Sequence, residues 1–400
     1  MHRPLMTGAL AGVLAALAID CGSGPCIDGR EGCACTVEGR CDAGLECAGD
    51  ECVAAAGTEG SDNGSSSTSA TTSTMTTSAP TTDADTSSES GPAVPCGMAD
   101  FRAMTFNVQA VGVQGTDEWN ALGAILRRAE PDIVCIEEIG DFETASLRAL
   151  TEALGWGEPI QADQSPAIGG ELRNGCLGPR TMNRIDSYTS SDLVPGTNDL
   201  SRDALAVRVD LDDGCHVNVV AVHAKSGQED IDRFRRQVDF VRIAQAIDDV
   251  RARHPGEPVV LMGDFNENPD DPMLNQVFDA LPPGLPESYQ LGDDITLPLT
   301  YNPFDTVAGT GLVRIDPTAE DSIRDATWGV SGGFDGVRLD YIWLDGIDLG
   351  GAVIYDACLD DGMDAPPAGA WLPLSGDPLP CATSAAASDH LPIVADLHVP

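Results

Sequence analysis

The spacing of apolar side chains along residues 96–400 predicts a series of short buried strands separated by helical stretches. Apolar runs recur at 101–108, 132–136, 204–211, 217–222, 258–262, 339–344 and 393–399. Each has strand length, and Gly, Pro, Asp or Asn, the residues that open turns, recur near their ends. In ALAVRVDL (204–211) apolar and polar positions alternate, as an antiparallel strand with two differently packed faces requires. RFRRQVDFVRIAQAI (233–247) has a helix's period instead: Phe234, Val238 and Val241 share one face, and Arg235, Arg236 and Arg242 lie on others. Two packed sheets with helices outside are the simplest architecture. A doubly wound parallel sheet is the rival, disfavoured because neighbouring strands are joined by turns as short as Asp212–Gly214.

Ahead of this span the pattern changes three times. Residues 1–20 place His2 and Arg3 before an apolar stretch from Leu5 to Ile19 that is too short for a comfortable membrane span, and they read as an export signal. Ala16-Leu17-Ala18 fits a small-residue cleavage site, while Cys21 fits the acylated first residue of a lipoprotein, with Asp20 an unusual residue before it. A secreted form and a form tethered to a membrane through Cys21 both stay open. Residues 21–53 hold Cys21, Cys26, Cys33, Cys35, Cys41, Cys47 and Cys52, a segment too short for an apolar core and expected to be stapled by disulfides. Zinc is the rival, but the segment lacks histidine and paired CxxC knuckles. Residues 54–95 form a Ser/Thr/Gly tract with hardly any large apolar side chain, expected to be a disordered linker. The large domain, 96–400, adds six cysteines; Cys358 and Cys381 are expected to close a loop, and Cys135, inside an apolar strand pattern, to be a buried free thiol.

Charge narrows the partners. The net charge is -42, and the 96–400 span keeps about -32 of it. Such a surface repels nucleic acid and anionic membranes at long range, which argues against a high-affinity DNA-binding module but does not exclude an enzyme that meets DNA briefly. The only lysine is Lys225, two residues after His223 in VVAVHAKSG.

Polar residues gather at strand ends where a core would not choose them. The run FRAMTFNV ends near Asn107, PDIVCIEEIG on Glu137 and Glu138, and VNVVAVH on His223. In EPVVLMGDFNENPDD the apolar run from Val259 to Met262 breaks at Gly263 and delivers Asp264 and Asn266, while RLDYIWL carries Asp340 and SDHLPIVADL puts Asp389 and His390 before a strand. Each alone has an ordinary reading as a turn former, a solvated carboxylate or a core histidine. Together they combine the hard oxygen ligands of a magnesium-like ion with two imidazoles that transfer protons near neutral pH.

This order of motifs (TFNV, EE, VHAKS, GDFN, RLDY, SDHLP) resembles the endonuclease/exonuclease/phosphatase superfamily, the metal-dependent phosphoesterases related to pancreatic deoxyribonuclease, over nearly all of 96–400. The resemblance implies an α/β fold, a four-layer sandwich of two mixed, largely antiparallel β-sheets flanked by helices, with the site at one edge. It implies Glu138 as metal ligand, with Asn107 beside it and Asp389 nearby. The residue before that glutamate is commonly Gln in the family and is Glu137 here, which leaves open which carboxylate takes the ion. The ion implied is Mg²⁺ or Mn²⁺, with Ca²⁺ as a further option. Asp264 and Asn266 match the pair on the attacking water and scissile phosphate, His390 the catalytic histidine with Asp340 orienting it, and His223 the second histidine. Arg202 resembles a phosphate-contacting arginine, and Lys225 is either a longer-range phosphate contact or a surface residue.

The expected function is an exported phosphodiester hydrolase, a nuclease on extracellular DNA or RNA that binds nucleic acid transiently and has no stable protein partner. VHAKSG followed by an Arg- and Gln-bearing helix is similar to exported bacterial nucleases of the superfamily. A sphingomyelinase-type lipid phosphodiesterase, for which Trp328 and Phe334 are the nearby membrane-contacting candidates, a small-substrate phosphatase, and a non-catalytic surface binding protein are the alternatives.

Overall fold

The structure, a computed structural model, describes residues 45–48, 51–54, 96–163, 172–211, 214–317, 326–329, 336–360 and 373–400. The expected export signal, Cys21, the linker, most of the Cys-rich segment and Phe334 lie outside the described residues. Two units divide the chain, Met1–Asp85 and Thr86–Pro400. The described part of the first is a hairpin of β1 (Leu45–Ala48) and β2 (Glu51–Ala54).

The second unit holds two six-stranded sheets. The first runs in the order β15 (Asp348–Ile354), β16 (Ile393–Val399), β3 (Ala99–Asn107), β4 (Ile133–Ile139), β6 (Arg173–Leu177), β5 (Ile160–Gln161). The second runs β13 (Val313–Arg314), β14 (Asp340–Asp345), β10 (Val259–Asp264), β9 (His216–His223), β8 (Ala204–Asp210), β7 (Met182–Tyr188). A short pair, β11 (Val277–Phe278) and β12 (Leu299–Thr300), stands apart. Each large sheet contains one parallel pair, β3 with β4 and β9 with β10, and is otherwise antiparallel. Both sheets are therefore mixed, as expected, and the doubly wound alternative is excluded.

Strand alternation builds the layers. On β3, Phe101 and Ala103 face the second sheet, whereas Met104 and Phe106 face the helices α1 (Asp117–Ala129), α2 (Thr144–Leu154) and α6 (Ala382–Ala387). On β9 and β10, Val217, Val219, Ala221, Val260 and Met262 face inward. Their neighbours Val220, Val222, Val259 and Leu261 pack toward α4 (Asp230–Arg253) and α5 (Pro303–Ala308). The short α3 (Ser190–Leu193) completes the outer layer. The result is a four-layer sandwich.

The seven expected strands all form. Pattern reading had no signal for β6, β7 and β15: RNGCL and MNRIDSY are largely polar, and DLGGAVI carries two glycines on an edge. Helix α4 also departs from an amphipathic reading, because Arg235, Arg236 and Arg242 are buried along with its apolar residues. Arg242 is held by Asp199 and Asp294, and Arg236 by Glu267.

Three disulfides are described, Cys96–Cys215, Cys135–Cys176 and Cys358–Cys381. The last is the expected loop closure. Cys135 is not a free thiol: β4 pairs antiparallel with β6 and sets Cys176 directly opposite it, on the inner face both share. Nothing in the spacing of the two cysteines carries that register. Cys96–Cys215 ties the start of the first sheet's β3 to the start of the second sheet's β9, and spans 119 residues. Opening it with Cys96→Ser and Cys215→Ser is expected to cost about 2–5 kcal/mol in urea denaturation, because the unfolded chain regains a long loop. Peptide mapping of the unreduced protein should recover Cys135 linked to Cys176.

Candidate active site

The alternation that builds the inter-sheet core also builds the site. Asn107, Glu137, His223 and Asp264 stand at or near the ends of β3, β4, β9 and β10, in phase with the inward-facing apolar residues of the same strands. Antiparallel β14 and β16 begin where these strands finish, so Asp340, the first residue of β14, and His390, just before β16, arrive at the same edge. Register places Asp264 opposite Asp340 on one side and His223 on the other.

Glu138 reaches the cluster by a different device. In an unbroken strand it would face the helices, out of phase with Glu137. The ladder between β4 and β6 shifts register between Ile136 and Ile139, and Glu138 takes φ 65. This bulge turns its carboxylate to the site, where Oε1 lies 3.6 Å from His223 Nε2. Glu137 stays in phase, fully buried, accepting a hydrogen bond from Thr105 Oγ1 at 3.3 Å. Burial, then the charges of Asp340 and Asp264, push its carboxyl well above the usual range.

The strand expected to break at Gly263 continues through it to Asp264. Gly263 has φ 147, and a Cβ there would lie 1.9 Å from the Val222 carbonyl oxygen, so only glycine allows β10 and β9 to approach. The turn follows at Asn266 (φ 52), whose backbone N–H donates to Asp264 Oδ1 at 2.7 Å and whose side-chain nitrogen donates to Asp264 Oδ2 at 3.2 Å and to Ala224 O at 3.1 Å. Asn107 Nδ2 bridges Glu138 Oε1 at 3.1 Å and Asp264 Oδ2 at 2.9 Å, while its oxygen accepts from Gln109 N.

The two histidines sit in opposite electrostatic settings. His390 Nδ1 meets Asp340 Oδ2 at 2.9 Å. Burial by itself would lower its pKa, but the charge and hydrogen bond of Asp340, with Asp264 and Asp389, override burial and raise it to about 10. His223 is equally buried, and neither ring nitrogen has a hydrogen-bond partner. Burial, then Arg202 and His390, push it well below its ordinary value, so it is neutral at pH 7. Asp264 rises to about 7 through burial and the neighbouring Asp340 charge, against the opposing pull of His390, Asn107 and Asn266.

Arg202 lies beside this group. It is buried, its guanidinium donates to Ala224 O at 3.0 Å, and its Nε has no partner. Burial lowers its pKa, while Glu138, Asp239 and Asp264 are close enough to act in the opposite sense. Lys225 is engaged elsewhere: its ammonium pairs with Asp232 at 2.9 Å. Asp389 accepts a hydrogen bond from Trp328 Nε1 at 3.0 Å rather than joining the tightest acid cluster.

Two residues not among the expected site residues complete the frame. Ser388 Oγ donates to Asn107 O at 2.7 Å and accepts from His390 N at 3.0 Å, and Thr327 Oγ1 accepts from Leu339 N and Asp340 N. Ser388 belongs to the SDH segment and could have been found there. Thr327 is remote in sequence from everything it holds.

Ligand atoms of Glu138, His223 and Asp264 lie within 4.8 Å of one another, as do those of Asp264, Asp340 and His390. Asp340 Oδ1 and Glu137 Oε2 are buried without hydrogen-bond partners. Several acids crowded around unsatisfied oxygens fit a hard divalent cation. Residues 104–390 match the model of the Endonuclease/Exonuclease/phosphatase family. The chain belongs to that family.

The domain is accordingly a metal-dependent phosphoesterase. Solved structures similar to this chain include an endonuclease/exonuclease/phosphatase from Beutenbergia cavernae DSM 12333, at 20% identity over 75% of this chain and 72% of that one, TM-score 0.46. Another is an endonuclease/exonuclease/phosphatase family protein from Bacteroides thetaiotaomicron, at 13% identity over 76% and 99%, TM-score 0.48. The human Nocturnin catalytic domain with bound sulfate is a third, at 15% identity over 75% and 95%, TM-score 0.46. No curated protein matches the chain.

The His390–Asp340 pair gives a measurable sign. Because the folded-state pKa of His390 lies above its ordinary 6.5, the pair's contribution to stability is fully present below pH 6.5 and is lost as pH rises through about 10. In the metal-free protein Asp340→Asn is expected to move the imidazole titration, followed by NMR, several tenths of a pH unit or more downward. An unchanged titration would contradict the pairing.

Proposed function

We propose that the domain hydrolyses phosphodiesters of nucleic acid outside the cell, with Mg²⁺ or Mn²⁺ as its cofactor. The observation that carries this reading is the convergence of Glu138, Asp264, His223 and the His390–Asp340 pair on one edge of the sandwich. Glu138, with Asn107 and Asp389 nearby, would hold the cation, which supplies charge neutralisation at the phosphate oxygens and among the acids. The remaining work falls to the chain. Asp264, fixed by Asn107 and Asn266, aligns a water, and Asn266 holds the phosphate beside it. With the neighbouring acids offset by a cation, His390 would favour its neutral form, which, with Nδ1 held by Asp340, accepts that water's proton at Nε2. His223, neutral and with both nitrogens unpartnered, donates its single N–H to a phosphate oxygen, and Arg202 adds its charge from behind.

The acidic balance makes binding brief, and local bases rather than a basic groove draw the substrate in. Export fits the three disulfides, which persist in oxidising compartments, and among the described residues no helix is long and apolar enough to cross a membrane. A secreted form and one tethered through Cys21 are both consistent with this. A lipid phosphodiester is the second reading, favoured by one observation. Among the described residues the exposed aromatic rings are Phe142, in the 3₁₀ turn Asp141–Glu143 that follows β4, and Trp328, which bridges to His390 and donates to Asp389.

With Mg²⁺ or Mn²⁺ the purified protein is expected to cleave bis-p-nitrophenyl phosphate and plasmid DNA or RNA, and to lose activity in EDTA. His390→Ala should lower kcat by about 10²-fold or more. Cleavage of sphingomyelin vesicles in preference to DNA and RNA would select the lipid reading, and an active His390→Ala would refute the assigned role.

A further inference from the structure

His390 is steered by Asp340, but His223 has no hydrogen-bond partner on either ring nitrogen. Its orientation must therefore come from the backbone that carries it. That backbone is held to an unusual degree. Ala224 N donates to Asp264 O at 3.0 Å, and Ala224 O accepts from Arg202 at 3.0 Å and from Asn266 Nδ2 at 3.1 Å.

The next peptide is gripped from helix α4. Asp239, 1% exposed, accepts from Lys225 N and from Ser201 N, each at 2.8 Å. Arg236, with no exposure at all, donates from Nε to Lys225 O at 2.7 Å and from one terminal nitrogen to Gly227 O. Its other terminal nitrogen meets Glu267 Oε2 and Tyr301 Oη. Glu267 directly follows Asn266, and Tyr341 Oη donates to its carbonyl at 3.0 Å. One guanidinium thus joins the segment after His223 to the segment after Asp264.

We propose that Arg236 and Asp239 are positioning residues that clamp the 224–227 and 264–267 segments together and so fix His223 and Asn266 against the reacting phosphate. Burying a guanidinium and a carboxylate is expensive, and replacing such groups by apolar ones often leaves stability unchanged or higher. Stability alone does not account for them. Asp239 pays visibly, since burial raises its pKa to about 6 even with two amide donors and Arg235 opposing. Arg242, two turns further along the same helix, is an internal control: it is as buried as Arg236, but its partners are Asp199, Asp294 and Gln245, none of which follows a site strand.

The clamp rests on the assignment of His223 and Asn266 to the phosphate, so the test reads structure and catalysis separately. Hydrogen exchange of the full chain, followed by mass spectrometry, should show peptides covering 224–227 exchanging about tenfold faster or more in Arg236→Lys and in the volume-conserving Asp239→Asn, with Arg242→Lys unchanged there. With bis-p-nitrophenyl phosphate and Mg²⁺, both variants should lose about 10²-fold in kcat with little change in KM, the cost of a small misplacement. In a His223→Ala background Arg236→Lys should cost far less than in the parent, because the two act through one another. Equal losses in both backgrounds, unchanged exchange at 224–227, or an equal kcat loss in Arg242→Lys would overturn the proposal. An inactive parent with the expected exchange pattern would instead count against the phosphodiesterase assignment and leave the clamp standing.

Discussion

The structure depends on strand alternation carried across two facing sheets. Every second residue of β3, β4, β9, β10 and β14 points into the layer between the sheets, and that layer is apolar along most of its depth. At one end the same phase yields Asn107, Glu137, His223, Asp264 and Asp340, all at most 3% exposed. The site is the last layer of the core with its side chains exchanged for polar ones. Its groups inherit the precision of core packing, and they also inherit the desolvation that makes unpaired charges costly.

That cost is what gives the cluster its chemistry. Burial raises Glu137 and Asp264 and depresses His223, while Asp340 with its neighbouring acids holds His390 protonated. One edge therefore holds a neutral imidazole beside a charged one, and carboxyls that a cation would relieve of mutual repulsion. Burial and the neighbouring acids push the Glu137 carboxyl well above the usual range.

Outside the edge, charge and cross-links serve other ends. The acidic surface disfavours long residence of a polyanion, and in the proposed function its recognition falls to buried bases at the site, Arg202 among them, rather than to a basic face. Cys96–Cys215 joins the two sheets near the strand ends remote from the catalytic edge, which stabilises the sandwich without restricting the loops that carry Asn266 and His390.

The amino-acid sequence by itself determined seven of the strands, their packing as two sheets, and the polar residues that end several of them, through period, turn chemistry and motif; β6, β7 and β15 carried no such pattern. GDFN, RLDY and SDH were legible as motifs, and so was the loop closed by Cys358 and Cys381. Tertiary structure alone decided what depends on register between distant strands. It chose Glu138 over Glu137 as the carboxylate turned outward, through a bulge that no spacing encodes, and it set Cys135 opposite Cys176. It also made Arg236 and Arg242 of α4 buried partners of loops thirty and more residues away. A residue's own period says which way it points; only the neighbouring strand or helix says what it meets there, and that is where charge, burial and bonding are settled.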